Sequence, residues 1–498
     1  LLLPDTNGFN ATPPNKILAL TFTKAGASEM SLRIRTKLSD WAVMNDPDLA
    51  DSMQELYGHA VSASQLNAAR KLFANVIDAP EGLKIMTIHS FCQSLLGRFP
   101  LEASLNPNFQ VLTENEAKSF IQKSIQKTLQ LSHENKGSPQ DNAIHNLSIL
   151  CNQDQIYDLI NKLLSERKQF TDILEKNFGI EGLYTALCKE LNIPAGKTEN
   201  DLIFQACDDN AFSKTDLYHA CKILAESKGK KDQERSIIIQ QWLDQEKKER
   251  ALSFDIYKTA FLKKDGGILS ALLSKSSAEK YLDVLQTLET EALRLFELDR
   301  KLNAVFVSQA TRDLFLIGEE VYKYYAQAKE EQGLLDFDDL ILKSLNLLKG
   351  QTPKLHGLDA SSWVRFKLDQ GIDHILVDEA QDTNPEQWEI IEALCDDFFS
   401  GEGAYETQRT LFVVGDEKQS IYSFQRASPK KFMQMHSFFK TKITQAEKVF
   451  NPVNFNISFR STKPVLELVD AVFSDENIKL QILSNSILDK IVRNDVNV

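Results

Sequence analysis

The stretch DHILVDEAQDTNPEQ, Asp373 to Gln387, contains a short apolar run, Ile375-Leu376-Val377, that stops at two adjacent carboxylates, Asp378 and Glu379, with Asp382 close behind. A strand that ends this way can deliver hard oxygen donors to a magnesium-nucleotide site. Mg²⁺ takes octahedral oxygen ligands, keeps several waters, and needs only one or two carboxylates beside the substrate phosphates. Asp378 is the metal candidate, and Glu379 is placed to orient or deprotonate a water attacking a terminal phosphate. The same pair can also be read as helix N-terminal carboxylates that complement a helix dipole.

Four further strings carry candidate chemistry. LFVVGDEKQSIYSFQRASP, Leu411 to Pro429, runs from an apolar segment through Gly415-Asp416 to Gln419 and two aromatics, Tyr422 and Phe424. Aromatics beside basic residues suit base stacking, worth about 1–3 kcal/mol per base, and equally suit a core. LALTFTKAGASEM, Leu18 to Met30, places Thr21, Thr23 and Lys24 where a strand gives way to a helix. There, hydroxyls, backbone N–H groups and a cation can meet phosphates. TIHSFC, Thr87 to Cys92, repeats the theme with His89 and Ser90. NISFRST, Asn456 to Thr462, sets Phe459 beside Arg460. A guanidinium aimed at a transferring phosphoryl group is worth ~10³–10⁵ in rate, although a single arginine near a turn also reads as a surface residue.

These residues need strand ends to hold them. Ile17–Phe22, Lys84–Thr87, Ile372–Val377 and Leu411–Val414 read as short buried strands, each leading into a helical pattern. This is the α/β signature of a mostly parallel sheet whose ligands gather at the carboxyl ends of its strands. From 105 to 330 the texture is helical throughout, with polar breaks at SHENKGSPQ, NIPAGKTEND and ESKGKKDQ. The expected domains are 1–104 and 331–450 as two parts of one α/β domain, 105–330 as an all-helical insertion, and 451–498 as the start of another domain.

Bulk properties narrow the classes. The 498 residues are 42% apolar, ample for buried cores, so disorder is not the default. No apolar stretch approaches the ~18–20 residues of a membrane span. The six cysteines form no CxxC pair, which gives no zinc or disulfide framework. The expectation is a soluble protein of a reducing compartment. The net charge of −13 argues against a wholly basic nucleic-acid coat. Its distribution is uneven, however: residues 371–408 hold eleven acidic residues and no Lys or Arg, and residues 409–448 hold eight basic against three acidic. An acidic edge followed by a basic surface fits an NTPase that grips a polyanion, and chance patterning of solvated faces also produces it.

TFTKAGASEM, TIHSFC, GLLDFDDLI (Gly333 to Ile341), ILVDEAQDTNPEQ and VVGDEKQSIYSFQRA, in this order, resemble the UvrD-like superfamily 1 DNA helicases over roughly 15–100 and 330–470. Within that family the wording looks most like the AddA group, helicase-nuclease subunits of a bacterial double-strand-break repair complex. The resemblance implies a RecA-like P-loop NTPase motor domain with a large helical insertion and the start of a second RecA-like domain. It implies ATP and Mg²⁺ as cofactors, with Asp378 on the metal, Glu379 as catalytic base and Gln419 sensing the γ-phosphate. Phe459 would stack on adenine and Arg460 would be an arginine finger. Phe22, His89, Tyr422 and Phe424 would lie along the single-strand track, with Thr21, Thr23, Lys24, Ser90 and Gln425 as further DNA contacts. The implied activity is 3′-to-5′ movement on single-stranded DNA in repair and recombination. The implied partners are single strands, duplex ends and an AddB-like protein, and the implied setting is a bacterial cytoplasm, associated with the nucleoid.

Some positions depart from the family's pattern. Ser458 stands where Asn is common, Phe459 where Tyr is frequent, and Gln425 where many relatives have Arg. Arg426 replaces a usual small Gly, which either crowds the turn or adds a phosphate contact. The phosphate loop, G-x-x-x-x-G-K-[ST] after a strand, does not occur in the 498 residues. Gly196-Lys197-Thr198 is a decoy, because Leu191 sits where the first Gly is needed. In the family the loop lies upstream of TFTKAGASEM, and both chain ends read as cut, so the expectation is a central fragment of a helicase. The rival readings are a non-enzymatic DNA-binding or scaffold relative, and a RecB- or UvrD-type helicase without an AddA-type partner.

Overall fold

A computed structural model describes residues 1–4, 11–80, 82–351, 360–369, 371–399, 408–422, 426–455 and 461–472. The chain divides into two compact units, one formed by 1–113 with 333–498 and the other by 114–332.

The first unit is built on a four-stranded parallel sheet. Its strands are β1 (Ile17–Thr21), β2 (Lys84–Thr87), β5 (His374–Val377) and β6 (Thr410–Val413), in the order β2-β1-β5-β6. A two-residue parallel pair, β3 (Gln110–Val111) with β4 (Leu334–Leu335), lies apart. Parallel strands covered on both faces read as continuous apolar runs, and β1, with all five residues buried, is the clearest case. The register pairs Leu20 with Met86 and Val377, and Val377 with Val413, so the four carboxyl ends finish level. Backbone bonds extend that alignment past the strands: Asp378 N donates to Leu20 O at 2.9 Å, and Ala380 N donates to Val414 O at 3.0 Å.

Three expected strands shift at their ends. Phe22 leaves the ladder after Thr21, β5 begins only at His374, and β6 starts one residue early, at Thr410. Residues 105–113, read from the sequence as helical insertion, belong to the sheet unit, where Leu105, Phe109 and Val111 pack on its core. That core joins Leu18, Leu20 and Ile375 to Phe91, Trp388 and Phe439.

Helices leave the strand ends through side-chain caps. Thr23 accepts from Gly26 N at 2.9 Å to start Lys24–Val43, and Thr87 accepts from Ser90 N at 3.2 Å to start Ile88–Arg98. Asn384 and Gln387 form a capping box ahead of Pro385–Leu394, and Ser428 caps Pro429–Gln445. Pro429–Gln445 buries Met435, Phe439 and Ile443, spaced by four so that they share one face.

The opposite end of the sheet holds a partly buried polar knot. Lys16 Nζ meets Asp373 Oδ2 at 2.7 Å, and the His374 ring bonds Thr12 Oγ1 at 3.0 Å through Nε2 and Thr410 Oγ1 at 2.8 Å through Nδ1. Burial lowers the His374 pKa from the ordinary imidazole value; Asp373 opposes the shift and Lys16 adds to it. The unfolded chain therefore takes up a proton before the folded one does. The His374 contribution is full above about pH 6.5 and is lost as pH falls through that value towards the lower folded pKa. The melting temperature should fall between pH 7.5 and 5.5, and His374→Gln should flatten part of that slope. His89, also lowered by burial, leaves a residual slope. Superimposable pH profiles for wild type and variant would contradict this account.

The second unit is built from helices, with one isolated bridge, Leu262 to Ile268, among the described residues. Its longest helix, Leu282–Gln332, has 51 residues. Trp242 and Tyr257 stack at 3.8 Å in its larger core. Gly196-Lys197-Thr198 forms a turn in which Thr198 caps Glu199–Ala206, a boxed pair with Asp201. No described helix in the chain is long and apolar enough to cross a membrane.

Candidate functional site

The carboxyl edge of the sheet collects most of the residues singled out above. β5 delivers Asp378 half-buried and Glu379 exposed. Glu379 has φ 52 and ψ 42, the left-handed region that side-chain-bearing residues rarely adopt. Such strain clusters at functional sites. Asp378 Oδ1 accepts from Glu379 N at 3.0 Å. Burial raises the Asp378 pKa, and the Glu379 charge adds to the shift. Asp382 is raised mainly by burial as well. Each raised carboxyl costs stability above its folded pKa, and that cost fades as pH falls towards the ordinary carboxylate range. A cation at Asp378 would relieve the same cost at neutral pH.

Gln381, only 1% exposed and absent from the sequence candidates, is the hub of this edge. Its Nε2 donates to Glu379 Oε2 at 2.7 Å and to Asp382 Oδ2 at 3.3 Å, and its Oε1 accepts from Asp416 N at 3.2 Å. Asp416 Oδ2 in turn accepts from Gln419 Nε2 at 3.2 Å. A continuous polar chain thus runs from Glu379 through Gln381 and Asp416 to Gln419. Gly415 makes this approach possible, because a Cβ there would stand 2.7 Å from Gln381 Oε1. The only sequence signal for Gln381 was its place inside DEAQD.

A second cluster is aromatic. Phe22, just past β1, meets Tyr422, past β6, with ring centroids 5.0 Å apart and tilted by 44°. Both rings are half-buried. His89 lies edge-on to Phe337, with centroids 5.5 Å apart, and burial lowers its pKa from the ordinary imidazole value. Phe337 belongs to the GLLDFDDLI string but was given no role from sequence.

The polar contacts divide. Thr23 and Lys24 are exposed at the start of their helix. Thr21 is 2% exposed, and its Oγ1 would lie 2.9 Å from a Cβ on Gly26. This burial counts against a direct Thr21 contact to DNA: Thr21 lies against the helix start, whereas Thr23 and Lys24 stand at the surface. Ser90 Oγ is 2.9 Å from Thr87 Oγ1 and serves the cap. Phe424, Gln425, Phe459 and Arg460 lie outside the described residues.

The donor set fits a magnesium ion only in part. Asp378 offers a hard oxygen at a strand end, as such ions require. Among the described residues no group of three or more ligating side chains is arranged to hold a metal alone. A cation at Asp378 would therefore depend on oxygens brought by a phosphate ligand and by water.

The UvrD/REP helicase N-terminal domain model matches residues 8–440. Among curated proteins, the chain is similar to an ATP-dependent helicase/nuclease subunit from Ligilactobacillus salivarius, 24% identical over 92% of this chain and 35% of that protein. The proteins of the same name from Enterococcus faecalis and Lysinibacillus sphaericus are 25% and 26% identical over 92% of this chain and 35% and 36% of their own lengths. The chain thus spans little more than a third of the relatives it matches. With the family model covering most of its length, the chain belongs to the UvrD/REP helicase N-terminal domain family.

Proposed function

We propose that the protein containing this chain is an ATP-driven DNA helicase that moves 3′ to 5′ on single strands, acts in double-strand-break repair and works with an AddB-like protein in the bacterial cytoplasm. The observation that carries this reading is the meeting, on one sheet edge, of a carboxylate pair and an aromatic pair. The polar chain from Glu379 to Gln419 ends three residues before Tyr422. Relatives named as ATP-dependent helicase/nuclease subunits support it.

In this reading the first unit is a RecA-like motor domain, the helical unit 114–332 is an accessory insertion, and a second motor domain begins near 451. Asp378 holds Mg²⁺, which when bound neutralises charge on the phosphates. Glu379 orients and deprotonates the attacking water. Gln419, reached from Glu379 through Gln381 and Asp416, senses the terminal phosphate and passes its state to the DNA-facing string. Phe459 stacks on the adenine and Arg460 is the finger. Phe22, Tyr422 and Phe424 stack on bases, His89 adds a contact, and Thr23, Lys24, Ser90 and Gln425 complete the track.

A second reading, a DNA-binding relative that does not hydrolyse ATP, is separated from the first by experiment. The test is ATP hydrolysis with and without single-stranded DNA, by the whole protein and by this chain. The helicase reading expects DNA-stimulated hydrolysis from the whole protein and none from the chain. Robust hydrolysis by the chain, abolished by Glu379→Gln, would overturn the account of the missing loop. DNA binding without hydrolysis by the whole protein would favour the second reading.

A further inference from the structure

Arg426, four residues past Tyr422, holds an unfavourable backbone conformation. Arg426 has φ 68, a region that L-residues with a Cβ avoid. Its side chain turns inward: Nη2 donates to Glu386 Oε1 at 2.6 Å, with the two side chains 19% and 5% exposed. Glu386 sits in the first turn of Pro385–Leu394, directly after the loop that carries Asp378, Glu379 and Asp382. Its second oxygen, Oε2, is buried without a hydrogen-bond partner among the described residues. Two backbone bonds complete the junction. Ala427 N donates to Tyr422 O at 3.2 Å, and Ser428 N reaches Thr383 O at 3.4 Å, which ties residues 426–428 both to Tyr422 and to the acidic loop.

We propose that Arg426 is a positioning residue: its ion pair with Glu386 fixes residues 426–428, hydrogen-bonded to Tyr422, to the carboxylate loop and thereby sets the aromatic contact for single-stranded DNA. Arg426 does not itself meet a phosphate. The proposal rests on the reading of Phe22 and Tyr422 as a DNA contact.

The signs of the expected effects separate this role from simpler ones. Glu386→Gln removes a negative charge, so a purely electrostatic account expects DNA to bind more tightly. Positioning expects weaker binding, because the charge that anchors the guanidinium is gone. A phosphate-contacting arginine would take part in counterion release, and its loss would reduce the salt slope by about 0.7 for single strands. A positioning arginine leaves the slope unchanged.

The experiment is fluorescence anisotropy of a labelled oligo(dT) with the 498-residue chain across a salt series, with circular dichroism and melting to confirm that each variant is folded. Arg426→Ala and Glu386→Gln should each weaken binding by about tenfold, within the range by which such couplings modulate affinity, with parallel salt slopes. Arg426→Lys should recover most of the loss, and the double variant should be no weaker than the worse single one. Tighter binding by Glu386→Gln, a reduced slope for Arg426→Ala, or unchanged affinity in both would overturn the proposal. Failure of the wild type to bind any single strand would overturn the underlying reading, and this proposal with it.

Discussion

Glu379→Gln in the whole protein should lower DNA-stimulated ATP hydrolysis by ~10²–10⁴-fold, the usual worth of a positioned general base. The variant should leave single-strand binding by the 498-residue chain within about twofold, because Glu379 does not belong to the aromatic cluster. The substitution is close to isosteric. A glutamine can still accept the Gln381 Nε2 bond now made to Glu379 Oε2 at 2.7 Å, so the loop keeps its anchor while the basic oxygen is lost. Backbone geometry supplies a companion test. Glu379 holds φ 52, which costs a side-chain-bearing residue roughly 1–3 kcal/mol and costs glycine nothing. Glu379→Gly should therefore melt no lower than wild type while hydrolysis collapses. That opposite movement of stability and activity marks strain kept for function. Hydrolysis within tenfold of wild type in the Gln variant would remove Glu379 from the chemistry.

The parts of the fold that were legible in sequence are those governed by local physics. ILALT and the run before Asp378 announced buried strands, because parallel strands are apolar on both faces. Thr23, noticed as a polar group at a strand end, turns out to be a helix cap, and so does Thr87, which was given no role from sequence. Gln381 was hidden because its role needs Gly415 and Asp416, which follow another strand. The pairing of Phe22 with Tyr422 spans 400 positions, and only the sheet register brings the ends of β1 and β6 to one level. Two-residue strands such as β3 and β4 carry no periodicity at all. Arg426 was open between crowding the turn and reaching a phosphate. Its inward pairing depends on Glu386, forty residues earlier.

Phe22→Ala and Tyr422→Ala should each weaken single-strand binding by about 1–3 kcal/mol, roughly 5- to 150-fold, the measured worth of stacking one base on an aromatic ring. The rings touch at 5.0 Å, so their losses should not add. Removing one lets the other relax, and a double-mutant cycle should show coupling of about 0.5–3 kcal/mol. Salt separates stacking from phosphate contact. The two aromatic variants should run parallel to wild type in a plot of log affinity against log salt, whereas Lys24→Ala should lower the slope by about 0.7. The competing account treats both rings as core, which their half-buried state also permits. On that account the variants lower the melting temperature and leave the affinity of the folded protein unchanged. Anisotropy at a temperature where every variant is folded decides between the two. A stacking platform loses affinity at constant slope, and a packing contact loses only its melting point.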